Sequence, residues 1–291
     1  MELRQVGNKT YYIEHDTNIG IYNIEDNKIC LIDTGSAGDG EKIDEIITNN
    51  GWELKYILNT HTHIDHIGGN KYLIEKYGVP AYCTDYDMAF AHYPELEVAY
   101  MNGGYPVRKL RTVFEHPGKI GFKSIEGVEL KGIKYISLPG HSFGMIGFKT
   151  DDDVWFLGDS YLSREYISKF HFGFIYNIGA YIETLERLKS LKGKMFIPSH
   201  GEAEGDITET IDVNIDNINW MLDLIKDICS EYAGIDSILQ QMYTRLNIRA
   251  RVTQQVLLSS TAKGYLTYLE DTGKIDCKFI DNIMKWKTNC F

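Results

Sequence analysis

The stretch from Thr60 to His66 places three histidines and an aspartate directly after the apolar run 56–58. Imidazole and carboxylate groups are the ligands that zinc, iron and manganese accept in proteins. The chain has only nine histidines in 291 residues, so three of them within six positions form an unusual cluster. The alternative is a surface loop that is polar by chance, and the clustering disfavours it. The stretch predicts a strand end followed by a tight turn that aims these side chains at one point.

The spacing within this stretch separates the side chains into two groups. His61 and His63 alternate along one extended segment, whereas Asp65 and His66 begin the next turn. Successive side chains of an extended chain point to opposite sides, so residues two apart share a side. This layout can serve two neighbouring metal ions.

Three later segments repeat the same arrangement of an apolar run, a sharp turn and a residue that can bind metal. His141 follows the strand-like run 133–138, Asp159 closes the run 154–158, and His200 follows the run 195–199. Taken singly, a histidine after a strand is more often structural, and such an aspartate is often a helix cap. Taken together, they predict a site at strand ends, where loops on a rigid scaffold usually carry function.

The combined set of candidate ligands resembles that of the metallo-β-lactamase superfamily, in order and in sequence context, over roughly residues 1–205. The set consists of His61, His63, Asp65, His66, His141, Asp159 and His200. The resemblance implies an α/β fold, an αββα sandwich of two mixed sheets with helices outside and the metal site at one edge.

The resemblance also implies the division of the ligands between two divalent metal ions. In the family pattern His61, His63 and His141 hold the first ion, and Asp65, His66 and His200 hold the second. Asp159 bridges the two. Zinc is the expected metal, with iron and manganese as alternatives.

The bridging residue indicates a branch of the superfamily. The β-lactamases themselves usually carry cysteine or serine where this chain has Asp159, so the aspartate resembles the branch of thioesterases, lactonases, phosphodiesterases and nucleases. Flavodiiron proteins carry glutamate where His63 stands, which disfavours that oxygen-reducing branch. The resemblance implies a hydrolase whose metal-bridging hydroxide attacks a small thioester, ester or lactone.

Three alternatives stay open at this point. The first is a metal-dependent ribonuclease or phosphodiesterase, and the second is a persulfide dioxygenase with a single iron. The third is a non-enzymatic binding module, although no ligand position is missing.

The candidate catalytic residues are Asp65, Asp159 and Tyr161. Tyr161 is included because some lactonases place a tyrosine shortly after the bridging aspartate. Asp33, at the end of an apolar run, is either a turn residue or a group that orients the histidine loop.

The charge and the cysteines bear on partners and location. The formal charge is 30 − 41 = −11, which disfavours binding to nucleic acid or to an anionic membrane. No run of 18 apolar residues and no signal core is visible. Five cysteines without close pairing suit a reducing cytoplasm. We therefore expect a cytoplasmic enzyme with a small-molecule substrate, no membrane contact, and a homodimer as one alternative for its assembly.

Hydrophobic periodicity outlines the domain organisation. Short strands are expected at 10–13, 19–24 and 28–33, and helices at 42–49, 70–77, 181–191 and 211–229. An aromatic segment at about 86–122, interrupted by proline and glycine, is interpreted as an inserted lid over the site. A catalytic domain over 1–205 would be followed by a small C-terminal helical, winged-helix-like domain over 206–291. That domain is expected to have two helices at 235–246 and 251–269 and then a helix or hairpin at 275–286.

Overall fold

Two β-sheets pack face to face in the computed structural model, which describes residues 1–114 and 121–289. The first sheet has seven strands in chain order, namely β1 (Glu2–Gln5), β2 (Thr10–Glu14), β3 (Ile19–Glu25), β4 (Lys28–Ile32), β5 (Glu53–Leu58), β6 (Ala81–Cys83) and β7 (Phe122–Ser124). The strands from β1 to β4 are antiparallel, and those from β4 to β7 are parallel.

The second sheet has four strands, in the order β11-β10-β9-β8. They are β8 (Ile133–Ser137), β9 (Ile146–Thr150), β10 (Val154–Phe156) and β11 (Met195–Ile197). Strands β10 and β11 are parallel, and the other two pairings are antiparallel. Both sheets are therefore mixed, as the sequence predicted.

Side chains that alternate along the strands face two different hydrophobic cores, one on each side of the first sheet. In β4, Cys30 and Ile32 lie in the core between the sheets with Phe148 and Phe156 of the second sheet. Their neighbours Ile29 and Leu31 point to the opposite face and pack in the core beneath the helices on that side. A strand buried on both faces reads as a continuous apolar run, which explains the sequence of β4.

Helices cover the outer faces of both sheets. On the first sheet lie α1 (Asp39–Asn49) and α3 (Asn70–Tyr77), with the single turn α2 (Ile64–Ile67) between β5 and α3. On the second sheet lie α8 (Ile178–Leu188) and α9 (Thr208–Ile228), preceded by α7 (Arg164–Phe170). These layers form the αββα sandwich that the resemblance implied.

The segment between β6 and β7 is helical. It contains α4 (Asp85–His92), α5 (Glu95–Asn102) and α6 (Arg108–Val113). Residues 115–120 of the lid predicted at 86–122 lie outside the described residues, and its last residue, Phe122, belongs to β7. The apolar residues Val98, Met101 and Leu110 of the segment form a small core with Val256 near the C-terminus.

The C-terminal region combines helices with a small sheet. Its elements are β12 (Ala233–Gly234), α10 (Ile235–Arg245), α11 (Val252–Asp271), β13 (Ile275–Ile280) and β14 (Ile283–Thr288). The strands pair in the order β12-β14-β13, so the alternative of a hairpin at the end of the chain is confirmed. A winged-helix-like domain and a boundary at residue 205 stay predictions. One hydrophobic core runs from Leu157, directly after β10, through α9 to Trp286.

Parallel pairing carries the candidate ligands to one edge of the sandwich. Strands β4 and β5 end together and are followed by Asp33 and His61, and β10 and β11 end together before Asp159 and His200. Within the described residues, no helix is both long enough and apolar enough to cross a membrane.

Candidate metal centre

Three histidines of the first predicted group converge on one point. Nε2 of His61 lies 3.0 Å from Nδ1 of His63, and Nε2 of His141 lies 2.9 Å from the same atom. Nitrogens that share a zinc ion at about 2.1 Å in a tetrahedral arrangement lie roughly 3.3 Å apart. The three nitrogens therefore have the spacing of a metal-binding cluster.

The second predicted group lies beside the first. Nε2 of His200 is 3.3 Å from Oδ2 of Asp65, and Nε2 of His66 is 3.8 Å from the same oxygen. Asp65, His66 and His200 thus form another set of ligand atoms within reach of one ion.

Asp159 faces both groups with different oxygens. Its Oδ2 lies 3.4 Å from Nε2 of His141, whereas its Oδ1 lies 3.5 Å from Nε2 of His66 and 3.6 Å from Nε2 of His200. This geometry is what a carboxylate that bridges two cations requires.

Hydrogen bonds fix the ring orientation of His61 and His66. Nδ1 of His66 donates to Oδ2 of Asp33 at 3.0 Å, and Nδ1 of His61 lies 3.1 Å from Oγ1 of Thr60. The Thr60 hydroxyl in turn donates to Asp33 at 2.7 Å, so it is free to accept from His61. Asp33 therefore orients the histidine loop, which was one of its two interpretations.

Backbone carbonyl groups fix His141 and His200 in the same way. Nδ1 of His141 donates to the carbonyl oxygen of Phe174 at 2.9 Å, and Nδ1 of His200 donates to that of Asp16 at 2.7 Å. A histidine that donates from Nδ1 turns the Nε2 lone pair towards the centre.

Two buried polar atoms at the centre suit a cation. Among the described residues, Nε2 of His66 and Oδ1 of Asp159 have no hydrogen-bond partner, although both are shielded from solvent. A buried polar atom without a partner is costly unless something else satisfies it. Nitrogen and carboxylate donors in this number match the preferences of zinc, and also of iron and manganese. The residues therefore fit a metal centre.

The electrostatic environments of the two groups differ. Burial lowers the pKa of His141 to about 3 and holds that of His61 well below its usual value, so both rings stay neutral. Burial acts in the same direction on the pKa of His66, but the negative charges of Asp65 and Asp159 outweigh it and raise that pKa to about 10. The second group thus lies in a negative field that attracts positive charge.

A glycine allows the His141 loop to pack closely. Gly140 has a φ of +128°, and a Cβ there would lie 2.4 Å from the Cα of Tyr181 in α8. No other residue type meets both conditions. The carbonyl of Gly140 also accepts hydrogen bonds from the backbone N–H groups of Tyr176 and Asn177, which anchors the loop beside His141.

A cavity of about 660 Å³ opens at the metal centre, and His63, Asp65, His141, Asp159 and His200 line it. Its apolar wall comes from three separate parts of the chain: the helical segment before β7, the region after Asp159, and α11. Besides Ile64 of the metal-binding loop, the large apolar residues are Met101, Phe114, Leu162, Phe170, Phe174 and Leu257. The predicted lid segment therefore does contribute side chains to the cavity.

The structure does not bring Tyr161 to this cavity. Tyr161 is 2% exposed and packs in the hydrophobic core, and its hydroxyl has no hydrogen-bond partner within the part of the chain that the structure describes. The chain turns towards the core after Asp159, so Tyr161 does not take the role of the candidate catalytic residue expected there. Tyr166, in the first turn of the following helix α7, lines the cavity instead. His171, which follows this helix, packs against Trp220 at 5.4 Å between ring centres.

Two further residues of the site were not predicted from the sequence. Asp87 is a buried carboxylate that accepts hydrogen bonds from Thr62, between His61 and His63. His15 lines the cavity and contacts Asp39 at 3.3 Å. Neither lies near a recognisable motif, and their sequence distance from the ligands left no signal for them.

A mixed α/β sandwich with clustered histidines and carboxylates at one edge defines a class of metal-site proteins. The chain belongs to the metallo-beta-lactamase superfamily, whose family model matches residues 13–200.

Relatives of known sequence agree with this assignment. The chain is 32% identical over 150 residues to a hydroxyacylglutathione hydrolase of Brucella ovis, and 32% identical over 140 residues to one of Pelagibacter ubique. These matches cover 51% and 47% of this chain, and 49% and 47% of the relatives, so the chain spans about half the length of the curated relatives it matches.

Two solved structures share the fold over almost the whole chain. A beta-lactamase domain protein from Burkholderia ambifaria superposes with a TM-score of 0.79 at 16% identity, covering 99% of this chain and 94% of its own. A metallo-beta-lactamase family protein from Thermus thermophilus gives a TM-score of 0.72 at 16% identity, with 99% and 98% coverage. The likeness therefore includes the C-terminal region.

Proposed function

We propose that the protein is a metal-dependent hydrolase that holds two divalent ions and cleaves a small thioester, ester or lactone. The observation that carries the proposal is the position of Asp159, whose two oxygens face separate ligand groups. A single-metal site would not need this arrangement. Zinc is the metal we propose first, because imidazole dominates the ligand set.

In this proposal His61, His63 and His141 hold one ion, and Asp65, His66 and His200 hold the other. Asp159 spans both. Bound there, the ions would lower the pKa of a water molecule towards about 7 and polarise the substrate oxygen. No serine or cysteine nucleophile is then required.

The residues of the chain supply position and shape. Asp159 sets the separation of the two ligand groups, and the hydrogen bonds to Nδ1 keep the histidine rings from turning. Tyr166 lines the same cavity, and burial raises the pKa of its phenol, so it stays protonated at neutral pH. We propose that this phenol donates a hydrogen bond to the substrate, the role first sought at Tyr161.

The size and wall of the cavity support a small substrate with an apolar acyl group. A volume of about 660 Å³ lies in the usual range of roughly 300–1,000 Å³ for small-molecule sites. Apart from the ligands, the charged groups among the described lining residues are Lys169 and the carboxylates of Asp16, Glu97 and Glu165, together with His15. One lysine and no arginine favour a neutral substrate over a strongly anionic one.

The relatives named hydroxyacylglutathione hydrolase support thioester hydrolysis as the reaction. Glutathione itself carries carboxylates, and the described cavity wall offers only Lys169 to meet them. We therefore propose a thioester, ester or lactone with a neutral carrier rather than a glutathione conjugate.

The alternative function, a ribonuclease or phosphodiesterase, is supported by the basic residues of the C-terminal region. Residues 232–291 carry eight Lys or Arg against five Asp or Glu, and Lys278 and Lys287 both lie over the ring of Tyr232. The carboxylates of the cavity wall oppose this alternative. A persulfide dioxygenase would hold one iron, so the metal count separates it from the proposal.

Domain organisation and location complete the proposal. We propose a catalytic domain over 1–205, with the segment 86–122 as its lid, and a C-terminal domain over 206–291 that supports the rim of the site. The free thiols of Cys30, Cys83, Cys229 and Cys277 support a reducing, cytoplasmic location. A homodimer is one proposed assembly, and the molar mass measured in solution by light scattering tests it.

A substrate panel on metal-defined protein tests the proposal. The panel holds acyl thioesters, acyl lactones, bis-p-nitrophenyl phosphate and a short RNA, each assayed with zinc, manganese and iron forms. We expect turnover of a neutral thioester, ester or lactone. We expect Asp159→Asn to lower kcat by at least about 100-fold, because loss of the bridging charge reduces the stabilisation of the transition state.

The control is Asp153→Asn, an exposed carboxylate beyond the opposite end of β10, which should leave kcat unchanged. Undiminished turnover in Asp159→Asn would contradict the bridging role. Cleavage of RNA alone, lost in Arg249→Ala, would favour the nuclease alternative.

A further inference from the structure

A buried carboxylate outside the ligand set contacts the first histidine group. Asp87 lies in the first turn of α4 and is 3% exposed. Its Oδ1 accepts from the backbone N–H and from the hydroxyl of Thr62, both at 3.2 Å, and its Oδ2 accepts from the hydroxyl of Thr84 at 2.6 Å. The carbonyl oxygen of Asp87 lies 3.2 Å from the Thr62 hydroxyl as well.

Thr62 stands between the two histidines His61 and His63 of that group. In an extended segment its side chain points away from theirs, so whatever holds Thr62 sets the direction of both rings. Asp87 binds both the backbone and the side chain of Thr62, which is buried at 2% exposure. The carboxylate thus fixes the one residue that links these two ligands.

The same carboxylate also abuts the loop that carries His141. A Cβ at Gly144 would lie 2.2 Å from Oγ1 of Thr84 and 2.6 Å from Oδ2 of Asp87, so that loop packs directly against the pair. The Thr84–Asp87 pair therefore touches the two chain segments that supply all three histidines of the first group.

A different carboxylate supports the second group. Asp33 accepts from Nδ1 of His66 at 3.0 Å and from the backbone N–H of Thr60 at 2.8 Å. Neither oxygen of Asp33 contacts Thr62, and neither oxygen of Asp87 contacts His66, among the hydrogen bonds of the described residues. Asp33 thus reaches His66 directly and His61 through Thr60, whereas the hydrogen bonds of Asp87 among the described residues reach only the first group.

We propose that Asp87 is a positioning residue for the first metal site alone, acting through Thr62 and the Gly144 loop on His61, His63 and His141. The inference rests on the proposed metal-dependent function and assigns a part of that site to the segment before β7. A carboxylate in the first turn of a helix also interacts favourably with the helix dipole. That role would affect folding and leave the relative affinity of the two metal sites unchanged.

The test is a zinc titration of the full-length chain in the presence of a competing chelator, in two backgrounds. His200→Ala disables the second group and leaves the first, and His141→Ala does the converse. Removal of a supporting group of this kind typically costs about 10–100-fold in metal affinity. We expect Asp87→Asn to weaken the remaining site by at least about 10-fold in the His200→Ala background and by less than about 2-fold in the His141→Ala background.

The matched control is Asp85→Asn, which removes an exposed carboxylate from the same turn of α4 and should change neither affinity. If Asp87→Asn fails to fold, Thr62→Val removes one hydroxyl donor and keeps the charge of Asp87. It should weaken the same site by a smaller factor, again only in the His200→Ala background.

Equal effects of Asp87→Asn in both backgrounds, or none in either, would overturn the inference. These results are distinct from failure of the proposed function, which would appear as wild-type protein that binds no zinc. A cobalt-substituted sample provides a second readout. Asp87→Asn should change the visible spectrum of bound Co²⁺ in the His200→Ala background and leave it unchanged in the His141→Ala background.

Discussion

Asp33 and Asp159 show at the residue scale how hydrogen bonding assigns different roles to neighbouring buried carboxylates. Both oxygens of Asp33 accept from protein donors, namely Thr60, Asn59 and His66. Oδ1 of Asp159 is buried without any such donor from residues 1–114 or 121–289. A carboxylate whose acceptors are filled can orient other groups, whereas one whose acceptor is empty is available to a cation.

The tyrosine near the bridging aspartate shows why sequence spacing misassigned one residue. Tyr161 is two positions after Asp159, and the resemblance to lactonases that place a tyrosine shortly after this aspartate suggested that it faces the site. The direction of a side chain depends on the turn that follows β10, and that turn sends Tyr161 into the core. Tyr166 reaches the cavity because α7 begins in between.

Asp44 gives a prediction about stability and pH. Burial alone would raise the pKa of Asp44, but hydrogen bonds from Lys76 and Tyr77 outweigh it, and the pKa is lowered. A lowered folded pKa adds stability above the unfolded pKa of about 3.9 and loses it as the pH falls through the folded value. The stability difference between wild type and Asp44→Asn should therefore be full at pH 7 and shrink steadily below about pH 4.

Urea unfolding of both proteins between pH 3 and pH 7 measures this difference. Glu41→Gln, an exposed change on the same helix α1, is the control and should show a small difference with little dependence on pH. A difference between wild type and Asp44→Asn that grows on acidification would show that the sign of the linkage is wrong.

At the element scale, the strands that carry the site were predictable because their ends are so regular. Each combines a short apolar run with a polar residue directly after it, and a strand buried on both faces tolerates little else. Helix α3 was predicted with the same ends that the structure has, 70 and 77. Helix α1 begins three residues before its predicted start, because Asp39 and Gly40 lack the apolar periodicity that marked the rest.

Two parts of the site were beyond prediction at this scale. The cavity wall combines the segment before β7 with α11, and contacts between parts of the chain more than 100 residues apart leave no local pattern. Asp87 depends on a tertiary contact with Thr62 rather than on a motif. The ligand set was predictable because the stretch 60–66 is distinctive and because His141, Asp159 and His200 repeat one arrangement, although each of these three alone is weak evidence.

Asn214 in α9 connects that helix to the segment after Asp159. Its side chain accepts from the N–H of Leu162 and donates to the carbonyl oxygens of Leu162 and Thr210, all at 2.8 Å. Leaving buried backbone groups without partners costs about 1–3 kcal/mol. We expect Asn214→Ala to lower the free energy of unfolding by about 2 kcal/mol or more, measured by chemical denaturation.

Asn219→Ala is the matched control, since Asn219 is exposed on the same helix. It should change the stability by less than about 0.5 kcal/mol. Equal stability of the two variants would contradict the role of Asn214 as the connection between α9 and the cavity wall.

At the scale of the whole molecule, the C-terminal region is continuous with the rest. One core includes Leu185 of the sandwich, Ile218 of α9 and Leu266 of α11, and Leu257 of α11 also lines the cavity. Removal of residues 206–291 would therefore expose core surface and open the site at the same time. Point variants such as Arg249→Ala are the better means of separating nuclease from small-molecule activity.

The central claim for the whole molecule is that distant segments of the chain together hold two neighbouring cations. Crystals of the zinc-loaded protein, measured on both sides of the zinc absorption edge, test it most directly. The account predicts two anomalous peaks roughly 3.5–4 Å apart, one among His61, His63 and His141 and the other beside Asp65, His66 and His200, with Asp159 between them. A single peak, or an empty centre with the ligand side chains turned apart, would contradict it.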